Sequence, residues 1–82
     1  MKHIMITEPN GGRHIGEIDF ERIDVRGLDI WLTGMATSEL VALLGDGYME
    51  QMFDLVTDDG RVRTCRIIES GGGRMRLRAF GP

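Results

Sequence analysis

Residues 49–80 read MEQMFDLVTDDGRVRTCRIIESGGGRMRLRAF, and their reading decides the fold. Two clusters of turn-forming residues, Asp58-Asp59-Gly60 and Ser70-Gly71-Gly72-Gly73, cut the stretch into three segments of alternating apolar and polar side chains. Alternation of this kind marks strands with one buried face. With Gly60 in the left-handed position of a three-residue loop, Phe53 falls opposite Cys65, Leu55 opposite Arg63 and Gln51 opposite Ile67. A reversal through 70–73 then sets Ile67 opposite Leu77 and Cys65 opposite Ala79. This one register buries Phe53, Leu55, Cys65, Ile67, Met75, Leu77 and Ala79 together, and a slip of one residue in a strand would turn its apolar set to solvent. The expectation is a three-stranded antiparallel meander over 49–80.

Upstream, residues 2–7 (KHIMIT) read as a first strand with Ile4 and Ile6 on one side. The turn that follows, EPNGG at 8–12, has Asn10-Gly11 for its left-handed positions. Residues 13–34 alternate, but the phase breaks: Ile18 and Phe20 share one parity, Ile23 and Val25 the other. No flat strand buries both pairs on one face, so a bulge or corner is expected near Glu21-Arg22. Gly27 permits a second break, after which Leu28, Ile30 and Leu32 share a face. Two or three short strands are expected here.

Residues 33–47 hold the helical pattern, with Met35, Leu40, Val41, Leu43 and Leu44 at helical spacing. Thr33 or Thr37 is the expected N-cap, and Gly45 stands where a left-handed C-cap is wanted. A helix over about 35–44 is too short to persist alone and is expected to cover an open end or face of the sheet. The fold class is therefore mainly β (β-rich α+β). It is a single domain over 1–82, a small antiparallel sheet or partly open barrel of five to six short strands with one short helix. The broken phases favour curvature.

Eighty-two residues with one cysteine and two histidines offer no disulfide or metal staple. A domain of this size buries only about 60–65% of its unfolded surface, so some stability is expected to come from a partner or a second copy. The N-terminal segment lacks the apolar run of a signal peptide, and no stretch approaches the roughly 20 apolar residues of a membrane span. No membrane association is expected, and the lone Cys65 in a strand pattern suggests a reducing, cytoplasmic compartment.

The net charge of −3 conceals a split: residues 1–59 carry twelve acids and four bases, a net −8, while 60–82 carry six arginines and one acid, a net +5. In the meander register Arg66, Arg74, Arg76 and Arg78 lie on the face opposite the core, with Arg78 directly across from Arg66. Like charges so placed repel unless an anion intervenes. Asp54, diagonal to Arg66, is the expected internal partner, and Glu50 is expected near Arg76. Trp31 lies on the far face of its strand with Asp29, where it either anchors an interface as an exposed tryptophan or, in a barrel, packs under the helix; Tyr48 is assigned a similar part. The expected partner-binding set is thus Arg74, Arg76, Arg78, Arg66, Trp31 and Tyr48.

These residues suggest a non-catalytic protein-binding or assembly module, recognising an acidic protein surface or another copy of itself. The alternative is a small nucleic-acid-associated or inhibitory protein that binds phosphate through the C-terminal arginines. That alternative is weakened by the negative overall charge, by a helix without a base, and by the shortage of aromatic rings among the charges. The glycines at 71–73 lack the longer pattern of a phosphate loop, and GDG at 45–47 lacks the acid ladder of a calcium loop. His3 and His14 have no carboxylate fixed beside them by spacing, Cys65 falls in the expected core, and neither Ser38 nor Ser70 sits in a nucleophile elbow. No catalytic residue, cofactor or metal is expected.

Overall fold

The computed structural model describes residues 1–34 and 36–80. Seven strands form one antiparallel sheet: β1 (Lys2–Thr7), β2 (His14–Phe20), β3 (Arg22–Arg26), β4 (Asp29–Thr33), β5 (Phe53–Thr57), β6 (Val62–Gly71) and β7 (Arg74–Ala79). Their spatial order is β2-β1-β5-β6-β7-β4-β3. The count exceeds the expected range by one, because both breaks in 13–34 separate strands. One helix, α1 (Thr37–Leu44), and one 3₁₀ turn (Tyr48–Glu50) lie between β4 and β5.

The two ends of this order are β2 and β3, yet a single residue, Glu21, joins them. The sheet therefore curls until its ends approach, while remaining open. Glu21 ties the corner by donating its N–H to the Thr33 carbonyl at 3.0 Å. The corner falls where the apolar phase breaks, so Ile18, Phe20, Ile30 and Leu32 all reach the concave side and are buried. They join Ile4, Ile6, Phe53, Leu55, Cys65, Ile67, Met75 and Leu77 in one core. Leu28 leaves this face: with Gly27 at φ +62 it forms the β3–β4 turn and is half-exposed.

The meander follows the expected register through Phe53↔Cys65, Leu55↔Arg63, Ile67↔Leu77 and Cys65↔Ala79. It is shorter at its start. Gln51 does not face Ile67; its side-chain amide donates to the Leu44 carbonyl at 2.8 Å, satisfying an end of α1. The second reversal is tighter than expected. Only Gly72 and Gly73 make the turn, both at positive φ, which two-residue hairpins require and other residues adopt at a cost. A bulge at Ile68 lengthens β6 and shifts the pairing to Glu69↔Arg76.

Helix α1 begins two residues later than the start of the expected span, and Met35 lies outside the described residues. Neither threonine caps it. The N-cap is Ala36, without a side-chain hydrogen bond; Thr33 ends β4, and Thr37 is the first helical residue. Gly45, at φ +79, closes the other end by donating to the Val41 carbonyl at 2.9 Å. Leu40 and Leu44 enter the core. Leu43 rests against β2 at Gly16, where a Cβ would stand 2.7 Å from the Leu43 methyl carbon. The helix thus covers the β2 end of the sheet. No helix among the described residues is long and apolar enough to cross a membrane.

Candidate functional site: the arginine and tryptophan face

Strand alternation sends Met75 and Leu77 inward, so Arg74, Arg76 and Arg78 stand on the convex side. Strand β4 presents Thr33, Trp31 and Asp29 directly opposite them. The guanidinium carbon of Arg74 lies 4.5 Å from the Trp31 ring centre and that of Arg76 lies 5.3 Å away. A cation over an indole face is held by the ring quadrupole, worth about 0.5–1 kcal/mol at exposed sites and more when desolvated. Trp31 is thereby fixed among positive charges on the outer face, where sequence placed it with Asp29.

Two of the arginines have carboxylates. Arg78 donates from both Nε and Nη2 to Asp29 Oδ1 at 3.2 Å. Arg76 Nη2 lies 3.5 Å from Glu69 Oε2, an approach created by the bulge at Ile68. Arg76 is also the most enclosed of the set: its Nε is buried with no hydrogen-bond partner among the described residues. Glu50, expected beside Arg76, belongs instead to the 3₁₀ turn.

Arg66 corrects the sequence reading most sharply. Asp54 does not hold it. The Asp54 carboxylate is 3% exposed and accepts hydrogen bonds from the Thr64 hydroxyl and, at 3.1 Å, from the Asn10 N–H. It pins the β1–β2 turn over the outer side of β5. Arg66 and Arg78 face each other as expected, but they turn apart: Arg78 toward Asp29, Arg66 over the Phe80 ring at 5.8 Å. Among the described residues, neither Arg66 nor Arg74 has a carboxylate within 4 Å. Of Arg66, Arg74, Arg76 and Arg78, the first two therefore have no carboxylate beside them among the described residues, while Arg76 and Arg78 are engaged at home. Tyr48 is not in this ladder; it packs against the core from the 3₁₀ turn.

The same face continues onto β3 through Arg22, Asp24 and Arg26, paired with Thr33, Trp31 and Asp29. Six arginines and three acids (Asp24, Asp29, Glu69) give the convex side of β3, β4, β6 and β7 a net +3 in a chain of net −3. Sequence reasoning missed Glu69 and Asp29 as the ligands of Arg76 and Arg78. The first depends on an unforeseen bulge, the second on a β4–β7 pairing between segments more than forty residues apart.

The convex side of β1 and β2 has the opposite character. His3 Nδ1 meets Asp19 at 2.7 Å and Nε2 meets Glu17 at 2.7 Å. With a carboxylate on each nitrogen, hydrogen bonding to Asp19 and then to Glu17 raises the imidazole pKa above its ordinary value. His14 approaches the other Glu17 oxygen at 3.5 Å. Among the described residues, no three histidine, cysteine or carboxylate side chains are placed to hold a metal ion. Cys65 is fully buried, and desolvation pushes its thiol up to about 12, far from a nucleophilic thiolate at neutral pH. Comparison with protein-family models, with curated proteins and with solved structures finds no match.

Proposed function

We propose that this domain is a non-catalytic protein-binding or assembly module that recognises acidic protein surface, of another protein or of a second copy, through its convex arginine face. The observation that carries the reading is the pair Arg66 and Arg74, exposed guanidiniums without carboxylates, on a sheet face where Trp31 is already braced between Arg74 and Arg76. Such a face is positively charged and partly apolar, properties that suit protein docking. A cytoplasmic, reducing setting is part of the same proposal and agrees with the buried thiol of Cys65.

The fold does bring rings among the charges, Trp31 beside Arg74 and Arg76 and Phe80 beside Arg66, which favours nucleic acid as the second reading. The guanidinium of Arg74 already stands over the indole, however, and a base would have to displace it. Protein docking is therefore preferred. The two readings separate by titration of wild type and the Arg66→Gln/Arg74→Gln variant at about 0.1 M salt. Poly-L-glutamate serves as the acidic polypeptide, against random single- and double-stranded oligonucleotides. The expected result is binding to the polypeptide that the double change weakens by about tenfold. Micromolar oligonucleotide binding, lost in the same variant and falling log-linearly with salt, would replace this reading with the second one.

A further inference from the structure

The concave side of the sheet is closed at one end only. Helix α1 follows Thr33 and covers the end where β4 finishes. At the opposite end, where β4 begins and β7 finishes, Val25, Leu28, Val62 and Phe80 are 43%, 49%, 57% and 43% exposed. All four line one cleft of about 700 Å³. Monomeric domains seldom gather exposed apolar side chains in this way without a binding role.

The cleft has a charge as well. Its charged lining is Arg61 and Arg63, with no acid. Arg63 pairs with Leu55, so it sits at an inward register position on β6, where the neighbouring inward residues are apolar. Among the described residues its side chain makes one hydrogen bond, a weak donation from Nη1 to the Thr57 hydroxyl at 3.4 Å, and no carboxylate lies within 4 Å. Asp59, the nearby acid, accepts from the Thr57 hydroxyl at 2.6 Å and from the Arg61 N–H at 3.0 Å; it also feels the Arg63 and Arg61 charges, without closing an ion pair within 4 Å among the described residues. Alongside runs β3, the last strand of the sheet, whose outer edge is unpaired among the described residues. An unpaired edge bordering an apolar cleft is the geometry by which extended peptides add a strand to a sheet.

We infer that an extended segment of a protein partner, alternating carboxylate and apolar side chains, docks along β3. Its apolar side chains fill the cleft against Val25, Leu28, Val62 and Phe80, and a carboxylate takes the Arg63 guanidinium. The inference rests on the reading that the partners are acidic proteins, and it names a second contact, which adjoins the convex arginines at Phe80.

The test is an amide-resolved NMR titration of the whole chain with a blocked octapeptide alternating glutamate and valine, beside its glutamine-for-glutamate counterpart. Shifts are expected at Val25, Leu28, Val62 and Arg63. The dissociation constant is expected to rise about tenfold for the glutamine peptide and for an Arg63→Gln variant. Because Arg63 is only partly buried, the fold of that variant is checked by its own amide spectrum, and Val25→Lys gives a second means of blocking the cleft. Absence of cleft shifts at millimolar peptide, or equal affinity for the two peptides, overturns the inference. Shifts confined to Trp31, Arg66 and Arg74 overturn it while leaving the convex-face reading standing. Cleft shifts together with unchanged poly-L-glutamate binding by Arg66→Gln/Arg74→Gln do the reverse.

Discussion

The two ends of the sheet meet at one corner and are finished in opposite ways. At the β2 end the concave face is covered: Leu43 lies on Gly16, which pairs with the inward Ile6, and Leu40 and Leu44 carry the helix into the core. The outer face beside it is self-satisfied, with His3 clamped between Asp19 and Glu17. At the β3 end the edge is bare, the concave side stays open, and the outer face holds more guanidinium than carboxylate. Unpaired edges invite association, and proteins ordinarily cover or blunt them. Here the inner face of one terminal strand is covered, while the other, β3, carries alternating charge, Arg22, Asp24 and Arg26, of which, among the described residues, only Arg22 and Asp24 close on each other, at 2.9 Å. On the proposed reading, the first end does structural work and the second recognition.

The largest expected effect removes the core both ends share. Phe53 is fully buried at the middle of the concave face, and Phe53→Ala should cost about 3–5 kcal/mol, enough to unfold so small a domain. A chemical denaturation midpoint near that of wild type would show that the two ends are held by something else. Next comes the cover itself. Leu40→Ala should cost about 2–5 kcal/mol, and where the protein remains folded it should bare the inner face of β2 and make the two ends alike. Hydrogen exchange of β2 amides reports this, and unchanged protection there would mean that α1 is not what shields β2.

Much of this arrangement is legible in the chain, for reasons that differ along it. Strict alternation across two glycine-containing turns fixes the meander register as far as Ile67, since every alternative exposes Phe53, Cys65 or Leu77. The corner at Glu21 is visible because Ile18-Phe20 and Ile23-Val25 cannot share a flat face. The bulge is not visible: Ile67-Ile68 offers two apolar candidates for one inward position, and alternation alone does not choose between them. That ambiguity hid the Glu69–Arg76 contact. Asp54 misled because its burial comes from a distant turn, through the Asn10 N–H, and no local pattern in 53–57 encodes it. The candidate face was half legible in the same sense. Its arginines follow from parity, but which of them are free depends on the β4–β7 pairing that brings Asp29 to Arg78.

Two smaller effects sharpen the contrast between the ends. At the open end, Val25→Lys replaces an apolar side chain that is already 43% exposed, so stability should move by no more than about 0.5 kcal/mol. A loss of several times that in thermal or chemical unfolding would show Val25 to be core and the cleft closed. At the covered end, His3 should titrate above 6.5, and Asp19→Asn should bring it down toward that value, followed by its imidazole proton resonances. The sign for stability follows from the raised native value. With Asp19 and Glu17 ionised, the imidazolium contribution is fully present below the unfolded-state pKa and disappears as pH rises through the native one. A native His3 that titrates at or below 6.5 would show that the carboxylates do not clamp it.

The division of labour between the two ends is tested most directly by mapping where an acidic polypeptide touches the molecule. Backbone amide shifts are followed as poly-L-glutamate is added at about 0.1 M salt. Perturbations should appear at Trp31, Arg66 and Arg74 and along β3, with α1, β1 and β2 unmoved. Perturbations concentrated on α1 and β2, or none anywhere at saturating polypeptide, would contradict the assignment of recognition to the β3 end.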